Sequence, residues 1–144
     1  MKVFFDTSIL VAAMLEHHPA HERALPWLQR IKKGTDSGVI SAHSVAELYS
    51  ILTTLPVRPR ISPVAARRLI EENVLESCEV VALSDRDYAD LLVHLASVGI
   101  VGGTTYDALI LHAATKVEID RIVTLNERHF RQAYPALIDK LVAP

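Results

Sequence analysis

Residues 2–14 are KVFFDTSILVAAM, a short apolar run, an acidic residue and a second apolar stretch. The β-rich run Lys2–Phe5 predicts a strand, and the apolar residues after Asp6 predict a helix over Ser8–Leu15. A strand that passes through a polar residue into a helix is the first half of a βα unit. Repetition of this unit along the chain would indicate a parallel sheet covered by helices.

The same pattern recurs three more times. Each β-rich run is followed by a polar or capping residue and then by helical periodicity, which predicts an α/β fold with a parallel sheet. The predicted strands are Lys2–Phe5, Gly38–Ser41, Glu79–Leu83 and Arg121–Leu125. The predicted helices are Ser8–Leu15, Ala20–Lys33, Ser44–Leu55, Pro63–Leu75, Asp85–Val98 and Thr105–Val117, with a short helix after Asn126.

Composition limits the class of protein. The 144 residues include 15 Lys and Arg and 17 Asp and Glu, giving a net charge of −2, and 50% are hydrophobic. This is the composition of an ordered globular protein, and the length predicts a single domain over residues 1–144. A near-neutral chain is unsuited to coating nucleic acid, which needs many Lys or Arg contacts to phosphate. We expect any nucleic-acid contact to be local.

The sequence also predicts a location. Cys78 is the only cysteine, so an internal disulfide cannot form, and a reducing compartment is favoured. No apolar run is long enough for a membrane span or for the core of a signal peptide. We therefore expect a cytoplasmic protein with no membrane partner.

Two acidic residues lie where parallel α/β sheets bind ligands. Asp6 ends the first predicted strand, and the carboxyl ends of strands are the usual ligand edge. The alternative is that Asp6, Thr7 and Ser8 only cap the next helix. Glu47 is predicted in the first turn of the helix after the second strand, at the margin of its apolar face. Its alternative role is an acid favoured by the helix dipole.

Asp107 is the most informative acid. The residues after it are apolar around most of the predicted helix, so its carboxylate points toward the interior. Burying an unpaired charge costs several kcal/mol. We expect Asp107 either to be neutralised or to face a cation. Gly102, Gly103 and Thr104 just before it predict a tight turn more than a phosphate-binding loop.

These acids converge on one edge of the predicted sheet. Asp6 and Asn126 lie at the ends of strands that finish at that edge, while Glu47 and Asp107 lie in the first turns of helices that begin near it. Mg²⁺ and Mn²⁺ prefer oxygen ligands and need only one or two direct carboxylates beside water and substrate phosphate. The pattern therefore predicts a metal site for phosphoryl transfer.

Competing interpretations fit less well. A haloacid-dehalogenase-type phosphatase needs Asp-x-Asp after the first strand, but position 8 is Ser8. A receiver domain needs a phosphoacceptor Asp and a late Lys, which Leu83–Ser84 and Asn126 do not supply.

Two further clusters are interpreted as surface features. We interpret the first as exposed histidines and not a zinc site, and the second as charges at a helix start and not a calcium loop. Their members are His17, His18 and His21, and Asp85, Asp87 and Asp90.

Four stretches together resemble the PIN-domain nucleases, and within them the VapC-type toxins of bacterial toxin–antitoxin pairs. They are VFFDTSILVAAM around Asp6, SAHSVAELYSILT around Glu47, GIVGGTTYDALILHAA around Asp107 and IVTLNERHF around Asn126. The order and spacing match the family over nearly the whole chain, and the connector LPVRPRISP at residues 55–63 is also similar.

The resemblance implies a three-layer α/β/α sandwich with a central, mainly parallel sheet. It also implies an Mg²⁺- or Mn²⁺-dependent endoribonuclease, a homodimer, and a small cognate antitoxin whose carboxy-terminal tail covers the active site. Two alternatives remain open: a non-catalytic PIN binding module and a DNA nuclease of related fold.

The expected roles follow the motifs. Asp6, Glu47 and Asp107 would bind one or two metal ions, with Ser8 and Thr124 orienting a carboxylate or water through their hydroxyls. Asn126 is included among the catalytic positions because it stands where PIN domains often carry a fourth acid.

Basic residues supply candidate contacts for RNA or an antitoxin. Arg58, Arg60 and Arg68 are the candidates, although each basic patch on its own is better explained as solvated surface.

Overall fold

The computed structural model describes every residue from Met1 to Pro144. Its centre is a five-stranded sheet in the order β3-β2-β1-β4-β5, and every neighbouring pair of strands is parallel. The strands are β1 Lys2–Phe5, β2 Ser37–Ser41, β3 Cys78–Val81, β4 Arg121–Val123 and β5 Leu141–Val142. The predicted α/β architecture with a parallel sheet is confirmed.

The strands bury both faces because their side chains alternate. Val3 and Phe5 belong to one apolar cluster, whereas Phe4 between them belongs to the other. Ile40 and Val39 on β2 divide in the same way. Successive residues of a strand point to opposite faces. Two separate cores therefore lie on the two sides of one sheet.

Helices cover both faces. The first core contains residues of α1–α4, and the second contains residues of α5–α7, which makes three layers. The helices are α1 Thr7–Met14, α2 His21–Lys32, α3 Ala42–Thr54, α4 Pro63–Ile70, α5 Asp85–Val98, α6 Thr104–Ala114 and α7 Glu127–Ala133. None of these helices is both long enough and apolar enough to cross a membrane.

The strand order creates a crevice beside β1. From β1 the chain adds β2 and then β3 on one side, and it later adds β4 and β5 on the other. A reversal of strand order of this kind is where open α/β sheets bind ligands, at the carboxyl ends of the strands. Asp6 follows β1 and Thr124 follows β4, so both residues lie at this reversal.

Several predicted helix starts are confirmed in atomic detail. The Ser62 side chain accepts a hydrogen bond from the Ala65 amide at the start of α4. Ser84 and Asp87 form a reciprocal capping box at the start of α5. Gly102 has a positive φ of 62° before α6, so the glycine pair forms the predicted turn.

The structure corrects several predicted boundaries and adds one strand. Helix α3 begins at Ala42, so Glu47 lies in its second turn and not in the first. Strand β4 ends at Val123, before Thr124. The predicted helix over Pro63–Leu75 changes at Glu71 into a π-helical turn. Strand β5 was not predicted, since two residues carry no periodic signal.

The absence of a side chain at Gly38 allows β2 to pack closely against α2. A Cβ atom at Gly38 would lie 2.6 Å from Cys78 Sγ and 2.9 Å from Ile31 Cγ2. The β-branched Ile31 side chain is stiff, so Gly38→Ala should lower the free energy of unfolding by about 1–3 kcal/mol, measured by urea denaturation. Gly103→Ala is the matched control, because nothing lies within 4 Å of its added Cβ. Equal urea midpoints for the two variants would contradict this packing.

Candidate metal centre

Asp6 is held by hydroxyl groups and does not cap its helix. The residue occupies the position before α1, but its side chain makes no capping hydrogen bond. Its Oδ2 atom accepts from Ser8 Oγ at 2.6 Å and from Thr124 Oγ1 at 2.8 Å. Asp6 is 4% exposed. The interpretation of the Asp6 side chain as a cap is therefore wrong, and its carboxylate lies between the ends of β1 and β4.

The two hydroxyls are themselves fixed by the backbone after β4. Ser8 Oγ accepts from the Leu125 amide at 3.1 Å, and Thr124 Oγ1 accepts from the Asn126 amide at 2.8 Å. Each hydroxyl thus takes one hydrogen bond and donates its own proton to Asp6. This network orients the Asp6 carboxylate and ties the loop after β4 to α1.

The three predicted acids share one electrostatic environment. Burial raises the pKa of Asp6 from 3.8 to about 6, against the lowering effect of its bonds from Ser8 and Thr124, and the charges of Asp107 and Glu47 raise it further. Burial also raises the pKa of Asp107, which the charge of His129 lowers and that of Glu47 raises. The structure therefore places Asp6, Glu47 and Asp107 close enough for their charges to influence one another.

Two histidines border the carboxylates and were not predicted from the sequence. His43 Nε2 lies 3.4 Å from Glu47 Oε2, one helical turn away on α3. His129 Nδ1 lies 3.6 Å from Asp107 Oδ2. The i, i+4 spacing of His43 and Glu47 is a signal that sequence reasoning could have used. His129 reaches Asp107 through the packing of α7 against α6, and no spacing in the sequence indicates that contact.

The remaining predicted residues lie at the surface. Asn126 is exposed, and its amide N–H binds Thr124 while its side chain makes no hydrogen bond within the protein. Arg58 and Arg60 are exposed on the connector between α3 and α4, and Arg68 is exposed on α4. None of these arginines makes an ion pair.

The rival clusters have ordinary structural roles. His18 Nδ1 accepts from the Ala20 amide, and His21 Nδ1 contacts the Ala12 carbonyl oxygen at 2.9 Å. Asp87 pairs with Lys116 Nζ at 2.7 Å in addition to capping α5. The prediction that Asp87 lies at a helix start is confirmed, but it is buried and not a surface residue, and His18 and His21 are half-buried.

The donor set at Asp6 fits a hydrated divalent cation. Asp6 Oδ1 has no hydrogen-bond partner within the protein and is not sealed from solvent, while Oδ2 has two. No group of three or more His, Cys, Asp or Glu side chains is arranged to enclose a metal ion. Mg²⁺ commonly keeps several waters and takes only one or two protein carboxylates. Oxygen donors with raised pKa values at a crevice suit that chemistry.

The fold and this acidic crevice define a class. The sequence profile of the PIN domain family matches residues 3–134, which include Asp6, Glu47, Asp107 and Asn126. The chain belongs to the PIN domain family.

Known proteins within this class are similar to the chain. Ribonuclease VapC40 of Mycobacterium tuberculosis is 41% identical over 106 residues, covering 73% of this chain and 72% of that protein. Ribonuclease VapC27 of the same organism is 33% identical over 111 residues, covering 77% and 75%. The crystal structure of VapBC2 from Rickettsia felis bound to a DNA fragment from their promoter superposes with a TM-score of 0.66. Its 22% identity over 100% of this chain and 99% of that one shows a shared fold.

Asp6 and Asp36 should respond oppositely to amide substitution in metal-free buffer. Because the pKa of Asp6 is raised to about 6 in the folded protein, ionisation of Asp6 lowers the free energy of unfolding as the pH rises from about 4 to 6. Asp6→Asn should therefore stabilise the protein at pH 7, by up to about 3 kcal/mol. Bonds from Arg30 and the chain's amino group lower the pKa of Asp36 to about 2, so its stabilising effect is present above about pH 4. Asp36→Asn should destabilise the protein.

Urea unfolding in EDTA at pH 7 and pH 4 measures both effects. The gain from Asp6→Asn should largely disappear at pH 4, where Asp6 is protonated in the folded protein. The loss from Asp36→Asn should remain at pH 4. A loss of stability in Asp6→Asn at pH 7 would mean that the Asp6 charge is structural.

Proposed function

We propose that this chain is a divalent-metal-dependent endoribonuclease and the toxin of a toxin–antitoxin pair. One observation carries the proposal: a buried Asp6, oriented by Ser8 and Thr124, shares its electrostatic environment with Glu47 and Asp107 at the ligand edge of a PIN-domain sheet. The similarity to two proteins named ribonuclease supports RNA as the substrate.

Asp6, Glu47 and Asp107 would hold Mg²⁺ or Mn²⁺. When bound, such an ion activates water and offsets negative charge on phosphoryl oxygens. Ser8 and Thr124 hold the Oδ2 atom of Asp6 and leave its Oδ1 atom available. Because both hydroxyls are fixed by backbone amides, the carboxylate keeps its orientation when RNA arrives.

The reaction is hydrolysis of a phosphodiester. A water oxygen forms a bond to phosphorus, and the bond between phosphorus and the 3′ oxygen breaks. The 3′ oxygen leaves with a proton, so the products are a 5′-phosphate and a 3′-hydroxyl. The partly exposed carboxylates of Glu47 and Asp107 line the open side of the site, where a phosphate can approach.

Asn126 and the arginines have supporting roles in this proposal. Asn126 follows the hydroxyl network directly, and its exposed amide is available to substrate or to a water in the site. Arg58 and Arg60 on the connector and Arg68 on α4 are exposed and make no ion pair. Such charges suit RNA phosphates or an acidic antitoxin tail.

A small cognate antitoxin is the proposed protein partner. The fold is shared with a structure of VapBC2 on promoter DNA, and the curated relatives carry VapC names. We place the protein in the cytoplasm, where RNA and an antitoxin would both reach it.

Asp107→Asn should abolish RNA cleavage while the protein stays folded, since the substitution removes one oxygen charge and no packing. Mapping of cut sites in total RNA measures the loss, and circular dichroism checks the fold. Asp90→Asn, which changes an exposed acid of α5 with no ion pair, is the matched control and should cleave like wild type.

EDTA should stop cleavage, and Mg²⁺ or Mn²⁺ should restore it better than Ca²⁺, whose oxygen contacts are longer and less rigid.

Several outcomes would change the assignment. Full cleavage in EDTA would contradict the metal requirement. Cleavage of DNA but not RNA would favour the related DNA nuclease. Tight binding of RNA with no cleavage under any metal would favour a non-catalytic module.

We also propose a homodimer that uses α5. This helix exposes several large apolar side chains, and Leu92 and Val93 are 66% and 71% exposed. Neighbouring exposed apolar residues indicate an interaction surface. Leu92→Glu should convert the dimer to a monomer in size-exclusion chromatography with light scattering, because a charge would be buried at the contact.

Val64→Glu is the control for the dimer, since Val64 is 63% exposed on α4. It should leave the dimer intact. A wild-type monomer, or dissociation by Val64→Glu alone, would overturn the assignment of α5.

A further inference from the structure

Two aromatic rings stack at the rim of the acidic crevice. His43 and Tyr106 have ring centroids 5.6 Å apart and planes inclined by only 10°. This is the range of favourable offset stacking between aromatic side chains. His43 lies near the start of α3, and Tyr106 lies near the start of α6. The pair therefore joins the two helices that carry Glu47 and Asp107.

The rings are connected to the carboxylates on both sides. His43 Nε2 contacts Glu47 Oε2 at 3.4 Å. Tyr106 directly precedes Asp107 in the first turn of α6. A nucleotide whose phosphate lies at the acids would have its base within reach of these rings.

Packing does not account for Tyr106. Its side chain is 56% exposed, and it belongs to neither apolar core. Its hydroxyl makes no hydrogen bond within the protein, unlike the buried Tyr134, whose hydroxyl contacts His112. An exposed planar ring beside a phosphodiester site has the chemistry that binds bases: single-stranded nucleic acids are commonly held by stacking bases on Tyr, Phe or His.

We propose that His43 and Tyr106 form a platform on which an unpaired nucleobase beside the scissile phosphate stacks. The inference rests on the proposed ribonuclease function and adds a positioning element to it. Tyr106 supplies the exposed ring, and His43 supports that ring from behind while it contacts Glu47. A base within a duplex is already stacked and paired. The platform therefore favours loops, bulges and single-stranded segments over helical RNA.

Cleavage kinetics test the role of the ring. The substrate is an RNA hairpin whose loop carries a mapped cleavage site, compared with the same segment in a duplex. Tyr106→Leu should raise KM for the hairpin on the order of tenfold, with little change in kcat, because base stacking on one ring contributes binding of this size. Tyr106→Phe keeps the ring and should restore the wild-type KM. The preference for the hairpin over the duplex should shrink only in Tyr106→Leu.

Tyr49→Leu is the matched control. Tyr49 is an exposed tyrosine on α3 that has no stacking partner, and its loss should not change KM. A raised KM in both tyrosine variants, or in Tyr106→Phe as strongly as in Tyr106→Leu, would contradict stacking as the cause.

A fluorescence measurement tests the platform without cleavage. In the Asp107→Asn background, a short unstructured RNA containing 2-aminopurine should lose fluorescence on binding, because stacking on an aromatic ring quenches this base. The quenching should persist with Tyr106→Phe and disappear with Tyr106→Leu. Quenching that is the same in all three proteins overturns the platform.

The two proposals fail in different ways. If the wild-type protein cleaves no RNA, the ribonuclease function is wrong, and fluorescence alone decides whether the rings bind a base. If cleavage occurs and Tyr106→Leu keeps the wild-type KM, only the platform is wrong. If Tyr106→Leu leaves KM unchanged but weakens the binding of a co-expressed antitoxin, the rings contact protein, and the platform is also wrong.

Discussion

The hydrogen bonds from Ser8 and Thr124 to one oxygen of Asp6 are the constraint on which the site depends. A buried carboxylate without partners would cost several kcal/mol, and these two hydroxyls are the only groups that bind it. Each hydroxyl can donate to Asp6 because its acceptor position is already filled by an amide of the segment after β4. The orientation of one carboxylate is thus set jointly by Ser8, two residues away, and by Thr124, more than a hundred positions away in sequence.

Sheet topology makes this long-range contact possible. β1 occupies the centre, and its pairing with β4 brings Thr124 beside Asp6. The alternation of Val3, Phe4 and Phe5 between two cores fixes the register, since a shift by one residue would exchange the two faces. Packing of both helical layers therefore determines which residues leave the sheet at the ligand edge. Packing of the two apolar cores thus also fixes the positions of the polar side chains at the site.

The sequence predicts what depends on local pattern and misses what depends on distant contact. The strand ending at Asp6 and the buried helix carrying Asp107 both have clear periodicity, and the structure has both elements. Helix α3 begins two residues before the predicted Ser44, because Ser41 both ends β2 and caps the helix by accepting a hydrogen bond from the His43 amide. Glu47 therefore lies in the second turn. The position of His129 depends on how α7 packs on α6, for which no short-range pattern exists.

The buried aspartates indicate which charge the protein leaves uncompensated. Asp36 is paired with Arg30 and the chain's amino group, and Asp87 is paired with Lys116; both have lowered pKa values. Asp6 is equally buried, has no cationic partner within the chain, and has a raised pKa. A carboxylate kept for structural reasons would be expected to have a Lys or Arg partner, as the other two do. The fold instead gives Asp6 only neutral donors and places two more carboxylates nearby, an arrangement that destabilises the metal-free protein when Asp6 is ionised and that the proposed metal ion would relieve.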